Sequence, residues 1–256
     1  MNKTSNGPDN VNIQRLDEWN KLDEEAMRYH SNQWNEPKQS TIVFDSFVSD
    51  VFNKSKSVID MGAGAGAATA YLARNHKNIS FTGFDYSEDL VRLGSKIAHE
   101  MCIGNLKFQT GDWYHMSPTD KYDGCISLQT LSWLPDYEKP LIEIFEKVSP
   151  NYLAITSLFY EGDITCKIEV EEHKRIKKSF YNIYSLPAID RFCKKNGYVL
   201  TRYQPFEIDI DIARPSNLDF MGTYTKRVYG VGKKIDRIQI SGPILMSWYM
   251  ILMEKI

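Results

Sequence analysis

The period of the apolar positions changes along the chain. Over residues 11–30, Ile13, Leu16, Trp19, Leu22, Ala26 and Met27 recur near helical spacing, which predicts a helix. A second helix is predicted after Pro37, on Ile42, Val43, Phe47 and Val51. Short apolar runs then alternate with amphipathic stretches. The runs predict strands at 57–61, 79–85, 106–110, 124–128 and 152–157; the stretches between predict helices at 65–75, 88–101 and 137–148. Apolar strands alternating with helices specify a mostly parallel sheet covered on both faces. The rhythm breaks after Phe159, and residues 160–184 read as an insertion of undefined shape. A helix at 186–196 closes on Gly197, a residue type favoured there. A strand follows from Tyr198. Residues 223–228 and 237–241 read as strands around a Gly230/Gly232 turn, and 245–253 as the last strand. The domain organisation expected is a disordered tail at 1–11, N-terminal helices over 12–52, and an α/β domain over 53–256 that carries the insertion 160–184.

Composition narrows the function classes. The 256 residues suit one α/β domain with additions, or at most two small domains. Apolar residues make up 42% and charged residues 25%, enough for a globular core. A formal net charge of -2 lacks the basic field of a nucleic-acid binder. The one basic cluster, His173, Lys174, Arg175, Lys177 and Lys178, reads as a solvated helix face. Cys102, Cys125, Cys166 and Cys193 are scattered and form no zinc or redox pair, so reduced, cytoplasmic thiols and no metal are expected, with Cys125 buried. The polar residues 1–20 contain no secretory signal. The apolar run at 244–253 is shorter than the roughly 20 residues a membrane helix needs, so no membrane span is expected.

The chemistry gathers at the ends of four predicted strands. The first delivers Asp60 into Gly62-Ala63-Gly64-Ala65-Gly66 and an alanine-rich helix. Glycines permit a tight turn and close approach of a ligand to main chain, and the helix start adds free N–H groups. Asp60 places a negative charge there that suits a cation better than a pyrophosphate. The second strand ends in Asp85-Tyr86, where a carboxylate accepts hydrogen bonds from ribose hydroxyls. The third ends in Asp112-Trp113, an acceptor for an exocyclic amine with an aromatic to flank a base. The fourth leads into Gln129, Thr130, Ser132 and Trp133, polar and aromatic groups at the edge where open α/β sheets bind ligands. Gly62-x-Gly64-x-x-Ala67 also satisfies the dinucleotide pattern, so the glycines alone leave a nicotinamide-dependent oxidoreductase open.

Together these blocks resemble the class I S-adenosylmethionine-dependent methyltransferases, over roughly residues 40–160 by motif and over the later strands by order. The resemblance implies a Rossmann-like, mostly parallel seven-stranded sheet with an antiparallel C-terminal strand, and S-adenosylmethionine as cofactor. It implies that Asp60, Gly62, Gly64 and Gly66 hold the methionine part, and that Asp85 binds the ribose, with Tyr86 beside the adenine. Asp112 then meets the adenine amine, with Trp113 next to it, and Gln129 contacts the methionine part. The two C-terminal strands are consistent with a hairpin ending that sheet. Small-molecule members place an N-terminal helix and an aromatic over the cofactor as a lid. Tyr29 and Trp34 match that arrangement, and plain core packing of the two rings is equally open. An activated sulfonium leaves the protein mainly to align a nucleophile, with a base needed for a hydroxyl or protonated amine. His115 is the first candidate base, ahead of His30 and His173. The absence of an Asn-Pro-Pro-Tyr motif argues against nucleobases and glutamine amides as acceptors. Tyr160, Tyr181, Tyr184, Arg214, Tyr224 and Arg227 in the additions suit a polar, anionic small-molecule acceptor, targeted by O- or N-methylation. Gly222-Thr223-Tyr224-Thr225 and Ile240-Ser241-Gly242-Pro243 are similar to bacterial methyltransferases of surface-polysaccharide pathways, which implies a sugar or phosphorylated glycan precursor. An inactive cofactor-binding partner subunit is the reading from another class.

Overall fold

A computed structural model describes residues 24–117, 121–173, 177–214, 223–229, 235–241, 244–245 and 248–256. The expected tail and most of the first expected helix lie outside these residues. In chain order the elements are α1 (Glu24–Asn32), α2 (Gln39–Phe52), β1 (Ser57–Met61), α3 (Ala67–Asn75), β2 (Ser80–Asp85), α4 (Glu88–Glu100), β3 (Leu106–Thr110) and β4 (Gly124–Leu128). A 3-10 turn (Leu131–Trp133) leads to α5 (Glu138–Glu143), which runs into a π turn (Ile144–Val148). Then come β5 (Tyr152–Tyr160), β6 (Glu169–Glu172), β7 (Lys177–Phe180), β8 (Tyr184–Ser185), α6 (Leu186–Lys195), β9 (Tyr198–Phe206), β10 (Thr223–Tyr229), β11 (Ile235–Ser241), β12 (Ile244–Leu245) and β13 (Trp248–Lys255).

The main sheet has the order β3-β2-β1-β4-β5-β13-β9, with the two-residue β8 pairing beside β5. β1 pairs in parallel with β2 and with β4, and β13 runs antiparallel to both β5 and β9. The last strand is therefore inserted between β5 and the edge strand β9. Alternation along the buried strands builds two cores. Leu153, Ile155 and Phe159 of β5 and Ile251 of β13 pack with α5 and α6 residues such as Leu141 and Ile189. Ala154, Leu158 and Leu252 face the other way, onto Phe44, Val48 and Phe52 of α2 and Leu72 of α3. The N-terminal helix α2 thus belongs to the core of the sheet.

Several expectations change. β10 and β11, read from sequence only as strands, form a separate three-stranded sheet with β12, while β13 enters the main sheet as the antiparallel C-terminal strand. β5 runs on to Tyr160, beyond the expected end at 157. The described residues of the insertion carry regular structure: β6 and β7 pair antiparallel, and Cys166 bridges to Ile183. The basic cluster is no helix face, because Lys178 lies on β7 and pairs with Glu169 and Glu171 across the hairpin; Lys174 and Arg175 are outside the described residues. Tyr181 and Tyr184 are buried, so they are packing residues of the insertion's root. No described helix is long and apolar enough to cross a membrane.

Candidate functional site

The turn after β1 carries the glycine motif. Gly62, Gly64 and Gly66 all lie at positive φ, and Gly66 caps α3 in the left-handed region. At Gly62 a Cβ would stand 2.4 Å from Thr130, and at Gly66 2.2 Å from Phe108, so neither position has room for a side chain. The Gly62 and Ala63 amides donate to the Phe84 carbonyl at 2.8 and 3.0 Å, tying the turn to the end of β2. Thr130 Oγ1 donates to the Gly62 carbonyl at 3.0 Å, tying it to the end of β4. The turn sits where the strand order reverses, between β1 and β4. Open α/β sheets bind their ligands at that crevice.

Two carboxylates flank the turn. Asp85 Oδ2 accepts from the Gly64 amide at 2.6 Å and Oδ1 from the Ser87 amide at 2.9 Å. Burial nevertheless pushes its pKa up. Asp60 is buried on the α3 side; its Oδ2 accepts from Thr69 Oγ1 at 2.6 Å and its Oδ1 has no partner. Burial raises the Asp60 carboxyl to about 7, the Thr69 bond opposes the rise, and the Asp85 charge adds to it. Tyr86 follows, half-buried.

The third strand end carries Asp112 and Trp113 into different surroundings. Trp113 is a core residue, 6% exposed, with its indole N–H donated to the Pro140 carbonyl at 2.9 Å. It belongs to the buried cluster of Ile59, Met61 and Phe84. Asp112 stays at the edge, accepting from the Tyr114 amide at 2.7 Å and holding His115 Nδ1 at 2.8 Å. Lys139 Nζ lies 3.2 Å from His115 Nε2. Both ring nitrogens of the candidate base are therefore engaged, and His115 bridges Asp112 to Lys139.

The N-terminal segment lies over the glycine turn. Trp34 is buried and donates its indole N–H to the Ala65 carbonyl at 3.1 Å, which combines the lid placement with core packing. His30 stands over Gly64, its Cε1 3.5 Å from where a Cβ would be. Burial, and then the charge of Lys38, lower the His30 pKa to about 4, so the ring is neutral at physiological pH. Tyr29 is 47% exposed and meets the His30 ring edge-on. Gln129 adopts φ 62, unusual outside glycine; its amide donates to the Thr156 carbonyl at 2.8 Å and its Nε2 to Ser40 Oγ at 3.2 Å. Lys38 Nζ reaches Gln129 Oε1 at 3.4 Å. Lys38 and Ser40 escape sequence reasoning, since no local pattern reports a contact across so much chain.

The insertion's root is locked to the exit of β4. Asn182 donates to the Leu134 carbonyl at 2.8 Å, its amide to the Ser132 carbonyl at 2.8 Å, and Tyr181 meets Trp133 with ring centroids 4.8 Å apart. Ser132 and Ser157 hydroxyls bond each other beneath it.

A family profile described as a methyltransferase domain matches residues 52–196, more than half of the chain. The chain belongs to this methyltransferase family. Its fold is the class I methyltransferase fold, and the antiparallel β13 between β5 and β9 sets aside the dinucleotide-oxidoreductase order that the glycines alone allow. The chain is 32% identical over 74 residues to release factor glutamine methyltransferase of Aliivibrio fischeri, covering 28% of this chain and 26% of that protein. It is 31% identical over 94 residues to trans-aconitate 2-methyltransferase of Deinococcus radiodurans, covering 37% and 34%. The matched stretches thus span only about a quarter to a third of these curated relatives. Among solved structures, TehB from Haemophilus influenzae is similar with a TM-score of 0.54 at 14% identity, covering 89% of this chain and 66% of that one.

Proposed function

We propose that this protein binds S-adenosylmethionine on the turn between β1 and α3 and transfers its methyl group to a polar small molecule, by O- or N-methylation. The observation that carries this reading is a left-handed glycine turn flanked by the two carboxylates Asp60 and Asp85 at the sheet's reversal point. Carboxylates there favour a cation and hydroxyl donors and repel a pyrophosphate. The residues fit the cofactor: Gly62 and Gly66 have no space for a Cβ, and the buried Asp60 Oδ1 is an unused acceptor beside the turn.

In this reading Asp85 accepts the ribose hydroxyls while keeping the Gly64 amide in line. Tyr86 lies beside the adenine, and Asp112 takes the adenine amine. Gln129 meets the methionine part. The cofactor brings a methyl group on a sulfonium that needs no further activation. The chain then aligns the acceptor with the methyl and keeps water away, with Tyr29, His30 and Trp34 covering the turn. His115, the candidate base, serves only after Lys139 leaves its Nε2. The acceptor is read as a sugar or phosphorylated glycan precursor by resemblance alone. The missing Asn-Pro-Pro-Tyr motif separates this chain from the glutamine-directed relative. The setting read for it is cytoplasmic, with Cys102, Cys125, Cys166 and Cys193 as free thiols.

Calorimetry with S-adenosylhomocysteine, and transfer of labelled methyl to a small-molecule extract, test the reading. Gly64→Val is the matched control. Gly64 lies at φ 58, which a β-branched residue does not adopt. The nearest atoms to its Cβ position are 3.5 Å away, so backbone strain rather than crowding breaks the turn. Cofactor binding is expected to be lost in a folded Gly64→Val protein. Near-normal affinity there would remove the turn from the site. Tight cofactor binding by wild type without any transfer would favour an inactive partner subunit.

A further inference from the structure

The parts of the chain that the α/β core does not need meet around Lys38. This residue precedes α2, and its ammonium lies 3.4 Å from Gln129 Oε1 and 3.5 Å from the Tyr29 hydroxyl. It also stands 5.7 Å from the centroid of the Tyr29 ring. Both contacts are long for a charged donor, which settles at about 2.7–2.9 Å from an anionic oxygen. Next to it, Gln39 Nε2 donates to Asp209, on the segment that follows β9. Gln129 is held in the left-handed region with its Nε2 on Ser40. Such backbone is kept at functional positions when its surroundings impose it. His30, whose ring lies over Gly64, is neutral. Among the described residues Lys38 is thus a cation whose two hydrogen-bond contacts are neutral, at the junction of the glycine turn, the end of β4, the N-terminal segment and the tail of β9.

We propose that Lys38 and the Tyr29 hydroxyl, beside Gln129, receive a carboxylate of the methyl acceptor, and that the product is a methyl ester. The inference rests on the methyl-transfer reading above. A carboxylate oxygen takes the place on Lys38 that two distant neutral groups now share, and the Tyr29 hydroxyl turns to donate to the same group. The other oxygen faces the methyl. The balance is simple. That oxygen gives an electron pair to the methyl carbon, the carbon–sulfur bond breaks with its pair going to sulfur, and no proton moves. One negative and one positive charge become two neutral groups. No general base is required, in keeping with a weakly basic His30 and a His115 whose nitrogens are both engaged. The cofactor's methionine part carries a carboxylate too, so the test separates the two sources.

Protein saturated with S-adenosylhomocysteine is titrated with succinate and with citrate by calorimetry, for wild type, Lys38→Gln and Lys38→Arg. Wild type is expected to bind at least one acid, Lys38→Gln to bind it at least tenfold more weakly, and Lys38→Arg to recover most of the loss. Affinity for S-adenosylhomocysteine itself should be equal in all three. In parallel, label transferred from methyl-labelled cofactor to a small-molecule extract should be released as methanol by mild base, the signature of an ester. Three results overturn the proposal: no binding of either acid by wild type, label that is stable to base, or a Lys38→Gln protein that binds S-adenosylhomocysteine about tenfold more weakly while binding methylthioadenosine normally. The last would assign Lys38 to the cofactor's own carboxylate. Failure of wild type to bind S-adenosylhomocysteine at all is a different result, which overturns the methyl-transfer reading and this proposal with it.

Discussion

At the scale of single residues, Asp85 and Asp60 hold opposite roles on one turn. Asp85 already accepts from the Gly64, Ser87 and Tyr86 amides, and its carboxylate keeps lone-pair capacity for a ligand hydroxyl. Replacing it by alanine removes the ligand bonds and frees the Gly64 amide. Asp85→Ala is expected to cost about 2–4 kcal/mol of cofactor affinity, since bonds to a charged group are lost. The fold should persist, because the residue sits at a strand end. An affinity loss below threefold, by calorimetry, would take Asp85 out of the site. Asp60 acts on stability. Its folded pKa of about 7 lies above the ordinary carboxylate value of 3.8. The folded protein therefore binds a proton that the unfolded chain gives up between those values, and stability falls as pH rises from about 4 to 7. Asp85, also shifted up, works in the same direction. In the cofactor-free protein Asp60→Asn should flatten this fall without abolishing it. Melting temperatures that track pH identically in both proteins would show that Asp60 is not the group responsible.

At the scale of elements, Trp34 fastens the N-terminal segment to the glycine turn. Its indole N–H reaches the Ala65 carbonyl, and its ring is buried with Phe44 and Val48 in the α2-side core. Trp34→Phe keeps most of the apolar contact and drops one buried bond, a loss of about 1–3 kcal/mol because the carbonyl is left unpaired. The cost should fall locally. Amide exchange is expected to quicken across α1 and the turn at 62–66, with β5 and β13 unchanged. Uniform quickening would mean that the segment folds as one unit with the sheet. The same elements show what a sequence reveals. β1 and β4 match their expected bounds because each is an apolar run buried on both faces, and β3 matches them as a half-exposed edge strand marked by its alternation. β10 and β11 were legible as strands, since alternation and turn residues are local, whereas the sheet a strand joins depends on distant partners. The burial of Trp113 was not legible for a related reason. Adjacency to Asp112 fixes its position in the chain, yet the two side chains bond in different surroundings, Trp113 to Pro140 and Asp112 to the Tyr114 amide. The glycine turn and both its acids were legible because their chemistry is contiguous with the strands that carry them. Lys38 was not, because its meaning comes only from Gln129 across the fold.

At the scale of the whole molecule, two additions reach the ligand edge of the sheet, the segment Tyr29 to Trp34 and the insertion 160–184. They are expected to close over the acceptor from opposite sides. Their roots are fixed: Trp34 is bonded to Ala65, and Asn182 and Tyr181 are held on the 3-10 turn after β4. Movement is then left to Tyr29 and His30 at one side and to the β6–β7 hairpin at the other. That hairpin is tied across itself by Lys178 with Glu169 and Glu171, exposed pairs that contribute little to stability. Closing both would exclude water and set the acceptor in line. Limited trypsin digestion follows this directly, since the sequence between β6 and β7 offers cleavage at Lys174 and Arg175, with Lys177 next in the chain. S-adenosylhomocysteine together with an acceptor should protect the hairpin and the N-terminal segment at the same time. If the hairpin is cut equally fast in every state while Tyr29 to Trp34 becomes protected, closure is one-sided. The acceptor's specificity would then lie with the segment after β9, which already touches α2 through Asp209 and Gln39.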